Sequence, residues 1–381
     1  EAMLRAETPQ EQFNLIGASR RRINHNGDMR VWQRGTTASN PSTAFAHVYG
    51  ADRYLIQVQD MGTVTTTIDT DVPPTGGFNS STKIACTATG TAVANSNLIL
   101  IHRIEGQDSQ CTNFGTNNPE HLTLSFWIKS NKAGSFNVNF ENEDTSIITG
   151  ASSADQGYQT KQHIHSADTW EYKTVTIEGD PYSPFAFNTN KGLCFDIVLS
   201  SAGSDYGGTA PKAYWHNLAN AERSTYNENY FAASTDNYYK ITGVQLELGK
   251  VATPFEHRSY GEELALCQRY YLDLSAHQSG QSFEKLGMFQ GQNNTTGGFS
   301  YTQFPVTMRT TPSLVVSSTA SDYGIYQGGD IACTSAPTLN TNSTKNNGVC
   351  VLAASGLVAK GSGIFQENSN SGALLAFSAE L

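Results

Sequence analysis

Residues 122–130 read Leu-Thr-Leu-Ser-Phe-Trp-Ile-Lys-Ser, and this stretch decides the fold class. In an extended chain Leu122, Leu124, Phe126 and Ile128 fall on one side and Thr123, Ser125, Trp127 and Lys129 on the other, the period-two pattern of a strand with one packed face. SFNVNFEN (135–142) repeats it with Phe136, Val138 and Phe140. Working outward, NLILIHRIEG (97–106), WEYKTVTIEGD (170–180), LCFDIVLSSA (193–202) and YYKITGVQLELG (238–249) are similar, each bounded by Gly, Asn, Asp, Pro or Ser. Strands of this length at turn-punctuated spacing predict a β-sandwich from about Ile23 to Leu248. Helix-compatible sequence is scarce: short turns around Pro9, and RSYGEELALCQRYYLDL (258–274), where Glu262 and Glu263 suit the start of a helix. Beyond it, SYTQFPVTMR, PSLVVSS, GVCVLAAS and LLAFSAEL read as strands of a second, smaller β-sandwich. The expected organisation is a segment 1–22, a jelly-roll sandwich 23–248, a linker with a short helix 249–271 and a C-terminal β domain 272–381.

Composition narrows the function. Only 15% of the 381 residues are charged, against about 25% in ordinary soluble proteins, and Ser, Thr, Asn and 34 Gly take their place. The net charge of −10 argues against any role dominated by phosphate neutralisation, so nucleic acid is not an expected partner. No stretch approaches the roughly 18 apolar residues of a membrane span. The six cysteines form no CxxC pair; Cys333 and Cys350 lie close enough in sequence to pair, but buried free thiols are the expected reading, because free Cys is among the most buried residue types. The chain begins at Glu1, which is read as the sign of an upstream segment.

The chemistry-bearing residues sort by what each reaction demands. Polysaccharide cleavage needs two carboxyls about 5–10 Å apart. NFENEDTS offers Glu141, Glu143 and Asp144, but acids in a polar turn need no catalytic reason, and no GxSxG or HExxH occurs. His163 and His165 have a spacing that could hold a metal, yet no third ligand is near in sequence, and Asp69 and Asp71 suit calcium but read equally as loop acids beside Pro73 and Pro74; neither a metal nor another cofactor is expected. Sugar binding asks instead for flat rings beside neutral amides. Residues 211–234 supply them best, with Tyr214, Trp215, Tyr226, Tyr230 and Phe231 among Asn217, Asn220, Asn227 and Asn229. A loop burying its own rings has the same composition. Trp127 and Trp170 are read as core or sheet cover, Trp32 as packing at the start of the domain, and VQLELG as a core strand with Gln245 and Glu247 facing out or towards another subunit. In the last domain Tyr301, Tyr323 and Tyr326 sit among Gly- and Asn-rich loops of the kind that carry adaptable recognition.

Three longer motifs, NGDMRVWQRGTT (26–37), ITGVQLELGKVATPFEHRSYGEELALCQRYY (241–271) and FPVTMRTTPSLVV (304–316), ahead of the terminal FSAEL, resemble bacteriophage tail-fibre and receptor-binding proteins. The resemblance runs from about Asn24 to the C-terminus. It implies a carbohydrate-binding-module-like jelly roll before a small C-terminal β domain, a homotrimer, a place in the virion outside the cell, and contact with other tail proteins through residues that include Arg20, Arg21 and Arg22. The expected function is non-enzymatic attachment to a host polysaccharide or lipopolysaccharide, with Tyr214, Trp215, Asn217, Tyr226, Tyr230, Tyr323 and Tyr326 as glycan-binding candidates. The alternatives are a structural head-fibre or decoration protein without glycan affinity, and a depolymerase tail spike.

Overall fold

The structure, a computed structural model, describes residues 21–42, 46–142, 156–202, 211–219, 222–224, 230–275, 283–370 and 372–381. The turns expected around Pro9, and Arg20, lie outside these residues. The chain divides into two compact units, the first ending at Ser259 and the second spanning Tyr260–Glu380.

The first unit holds β1 (Thr37–Ser42), β2 (Ala46–Tyr49), β3 (Leu55–Gln59), β4 (Gly62–Asp69), β5 (Ser81–Ala88), β6 (Asn97–Glu105), β7 (Leu122–Ser130), β8 (Gly134–Asn142), β9 (Gln156–Ile164), β10 (Glu171–Ile177), β11 (Lys191–Ser201), β12 (His216–Asn217) and β13 (Tyr238–Leu248). They form a jelly-roll sandwich of two antiparallel sheets, ordered β1-β4-β5-β13-β7-β10 and β12-β9-β8-β11-β6-β3-β2. Leu122, Leu124, Phe126 and Ile128 face Phe136, Val138 and Phe140 in the core between them, as the alternation requires. Burying each such side chain contributes about 1.5–3 kcal/mol. β6 and β11 depart from alternation because their sheet is buried on both faces: Ile99, Ile101, Cys194 and Val198 form a second, smaller cluster on its outer side.

The chain enters and leaves this sandwich at one place. Ile23 donates its N–H to Leu246 O (2.9 Å), and the Asn24 amide spans Val244 O and Leu246 N. Gly27 lies so close to β13 that a Cβ there would sit 2.0 Å from Val244 O, so only glycine fits. β13 itself carries a bulge at Gly243 (φ 64°), where its register against β7 slips. Gln245 and Glu247 do not face solvent or another subunit: both are buried beneath residues 253–256 of the same chain. Thr253 donates its N–H and hydroxyl to the Glu247 carboxylate (2.8 and 2.6 Å), and Glu256 N–H donates to Gln245 Oε1 (2.7 Å). Glu256 in turn accepts the backbone N–H groups of Arg21 and Arg22, and the Arg258 guanidinium reaches Arg22 O and Asn24 O. Arg22 is therefore part of the sandwich, its guanidinium buried over the Phe255 ring, rather than part of a separate attachment segment.

The second unit begins with α1 (Tyr260–Gln268), then β14 (Tyr271–Asp273), β15 (Lys285–Gly291), β16 (Gly297–Gln303), β17 (Ser313–Val316), β18 (Tyr323–Tyr326), β19 (Asp330–Ala332), β20 (Thr338–Leu339), β21 (Asn347–Ala353), β22 (Ser362–Glu367) and β23 (Leu375–Ser378). A three-stranded sheet, β14-β23-β17, and a seven-stranded one, β19-β18-β22-β15-β16-β21-β20, enclose a core of Phe289, Phe304, Ile325, Phe365 and Phe377. Cys333 and Cys350 are buried there as free thiols, each pushed up to about 12 by burial.

Candidate functional site

The aromatic, amide-rich stretch 211–234 does not form one sugar platform. Trp215 is half-buried against the sandwich core, edge-on to Phe114 (5.2 Å between centroids), with its indole N–H donated to Glu178 O (2.8 Å). Tyr230 also packs inward and donates its hydroxyl to Asp60 O (2.8 Å); Phe231 is core. Asn217 is exposed but its side-chain oxygen accepts from Gln156. Tyr214 alone among the described rings of this stretch stands out, 59% exposed beside His216. Tyr226, with Asn220, Asn227 and Asn229, lies outside the described residues. An indole N–H that must find a partner and a large apolar ring explain the outcome for Trp215: both demands are met at the sandwich edge.

Tyr323 is likewise core. Strand β18 alternates, so Tyr323 and Ile325 point inward, and the Tyr323 hydroxyl donates to Leu374 O (2.5 Å). Tyr326 points the other way, 44% exposed. On this outer face the register sets Tyr301, Met288, Ile364 and Tyr326 side by side across β16, β15, β22 and β18. Tyr301 is 51% and Met288 66% exposed, and three strand spacings separate the two tyrosines by about 14 Å. Beside Tyr326 runs an open groove of about 410 Å³, walled by Met288, Val358, Ile364 and the glycines 361 and 363. Gln327 is fixed at its rim, accepting from Val358 N–H (3.0 Å) and donating to Ser362 O (3.3 Å). The Tyr301 hydroxyl donates to Gln303 Oε1 (2.9 Å). Rings and amides thus share one rigid face, although the loop asparagines do not add to it. Asn294, Asn340 and Asn370 accept backbone N–H groups two or three residues on and shape their own turns.

The acidic candidates are placed differently from a solvated turn. Glu141, the penultimate residue of strand β8, is buried and pairs with Arg223, whose Nη2 lies 2.9 Å from Glu141 Oε2 and Nη1 3.2 Å from Asp196 Oδ2. The Asn139 amide donates to Asp196 Oδ1 (2.8 Å). Burial and the neighbouring Glu141 push the Asp196 carboxyl well above its ordinary range. Burial opposes ionisation of Glu141 too, but the Arg223 charge holds it below the usual range. Glu143 and Asp144 lie outside the described residues. The His163 and His165 rings touch at 5.0 Å, and Asp69 and Asp71 are held by lysines; among the described residues no three His, Cys, Asp or Glu side chains converge. No described helix is long and apolar enough to cross a membrane.

One cluster is not evident from any single segment. On the outer face of the six-stranded sheet Trp127 stands directly opposite Tyr172, centroids 5.2 Å apart. Alternation sets Trp127 on the polar side of its strand, and Tyr172 occupies an exposed position of WEYKTVTI; the pairing of β7 with β10 is the link that local sequence lacks.

No family model and no curated protein matches the chain. Among solved structures it is similar to the enzymatically active domain of bacteriophage CBA120 tailspike protein 4 (12% identity over 59% of this chain and 21% of that one, TM-score 0.28). It is also similar to a family 11 carbohydrate-binding module of Clostridium thermocellum solved with a mixed-linked tetrasaccharide (10% identity, 57% and 100%, TM-score 0.28). A third is the xylan-binding domain of a Paenibacillus barcinonensis protein (11% identity, 56% and 95%, TM-score 0.25). The chain spans about a fifth of the tailspike, and at these scores none of the three carries a functional argument.

Proposed function

We propose that the protein is a non-enzymatic fibre component of a phage virion that attaches to a host surface polysaccharide or lipopolysaccharide. The observation that carries the reading is the outer face of β16-β15-β22-β18, where Tyr301 and Tyr326 are exposed beside a groove with Gln327 at its rim. Rings on a rigid sheet stack on sugar faces without first being ordered, and amides meet hydroxyls. The sequence motifs that resemble phage fibres supply the virion context, and a homotrimer multiplies weak sites into firm attachment.

The buried acids favour binding over cleavage. Glycosidase carboxyls stand at least about 5 Å apart across an open groove. Glu141 and Asp196 are instead buried together against the one Arg223 guanidinium. Adsorption of the purified chain to host cells tests the role: Tyr326→Ala is expected to weaken it while leaving the melting temperature unchanged. Undiminished adsorption, or new reducing ends released from host polysaccharide by the wild type, overturns the proposal. Sedimentation of a single chain rather than three removes the multivalent part of it.

A further inference from the structure

We propose that the outer face of the six-stranded sheet carries a second saccharide site, selective for uncharged sugars, with Trp127 and Tyr172 as the stacking platform and Asp71 and Lys129 as its hydroxyl-binding head. This site lies in the first unit and uses none of the residues of the C-terminal groove.

The register builds it. Lys83, Lys240 and Lys129 stand directly opposite one another on β5, β13 and β7. Three like charges in a row destabilise a sheet unless something compensates. Asp69 and Asp71 reach over the row: Lys240 lies 2.9 Å from Asp69 and 2.8 Å from Asp71, and Lys129 lies 2.9 Å from Asp71. The Trp170 indole N–H donates to the other Asp71 oxygen (3.0 Å), and the Tyr238 hydroxyl donates to Asp168 (2.5 Å). Lys83 lies over the Tyr238 ring. Next to this head, on the same face, Trp127 is flanked by Thr242 on one side and Tyr172 on the other, and Tyr172 is 45% exposed.

The balance of charge selects the ligand class. Three lysines face three aspartates, so the face has no net charge to attract an ion. Lys129 still has N–H groups and Asp71 lone pairs beyond those engaged. Although partial burial opposes it, hydrogen bonds from Lys240, Lys129 and Trp170 keep Asp71 ionised. A fixed donor and a fixed acceptor beside two rings match a sugar ring, whose faces are apolar and whose rim alternates hydroxyl donors and acceptors. An acidic sugar would instead set its carboxylate against Asp71.

The test uses the full chain and Trp fluorescence to follow titration with neutral glucan, mannan and xylan oligosaccharides and with oligogalacturonate. Expected are binding of at least one neutral oligosaccharide, little change in its affinity between low and molar salt, and no binding of oligogalacturonate. Tyr172→Ala and Asp71→Asn should each weaken the neutral ligand about tenfold, with Tyr172→Phe near wild type. Equal affinity in wild type and Tyr172→Ala, preference for the uronate, or no neutral ligand at all overturns this inference. Loss of all sugar binding in Tyr326→Ala also overturns it and leaves the C-terminal reading standing. Loss in Tyr172→Ala alone supports it, and the C-terminal reading is then decided separately by the adsorption of Tyr326→Ala to host cells.

Discussion

Replacing Asp196 by asparagine should flatten the pH dependence of the first unit's stability. Two buried carboxyls, Glu141 and Asp196, share one guanidinium, Arg223; Arg103 adds a more distant positive charge, and Cys194 lies nearby. With both acids ionised the cluster would hold two negative charges against Arg223, so one proton stays, and the raised carboxyl of Asp196 keeps it. The sign follows from linkage. A raised folded-state pKa contributes stability that is fully present below the unfolded value, near pH 4, falls as pH rises from there, and is lost once Asp196 ionises in the folded state. Glu141, shifted down, acts only below that window. One retained proton sets a slope of about 1.4 kcal/mol per pH unit. The amide introduced by Asp196→Asn would keep a hydrogen-bond donor to Glu141 and carry no proton to lose. Urea unfolding followed by Trp fluorescence reports this unit alone, because Trp32, Trp127, Trp170 and Trp215 all precede Ser259. From pH 5 upward, until Asp196 ionises in the folded state, the wild type should lose stability relative to Asp196→Asn by about 1.4 kcal/mol per unit. Parallel curves for the two proteins would refute the shared-proton account.

Other outcomes follow from single contacts. Gly27→Ala forces a methyl group against Val244 O and should cost about 2–3 kcal/mol, read as a lower urea midpoint; an unchanged midpoint contradicts the close approach. Thr253→Val removes a hydroxyl from the buried Glu247 carboxylate and should cost about 1.5–3 kcal/mol, with Thr253→Ser restoring most of it. Tyr323→Phe should cost about 1 kcal/mol, since Leu374 O keeps its bond from Ser317 N–H, and should leave cell adsorption unaltered.

Much of the sandwich was legible because alternation is a local signal. LTLSFWIKS and SFNVNFEN placed Leu124, Phe126, Phe136 and Phe140 in the core without knowledge of any partner. The helix at 260–268 is marked by its acidic first turn, and the inward phase of Tyr323 is equally readable in the alternation of YGIY. Other features depend on residues far apart in sequence. Glu141 looked like part of a polar turn because its partner Arg223 lies 82 positions away. Gln245 and Glu247 looked outward because nothing local announces that residues 253–256 fold back over them. Trp215 and Tyr214 are neighbours of identical local composition, yet one packs and one is exposed. Only the presence of Phe114 and Glu178 O decides which.

The crossing of the chain at residues 21–24 and 253–258 also fixes where tension would travel. A pull between the segment before Arg21 and the segment after Arg258 enters and leaves at neighbouring points, joined by Glu256 on the Arg21 and Arg22 amides and by Arg258 on Arg22 O. The strands of the sandwich hang from this knot as a side loop. They bear no load until these few bonds break, so a sandwich held in such a line would keep its shape, and any ligand on its faces, while the line is taut.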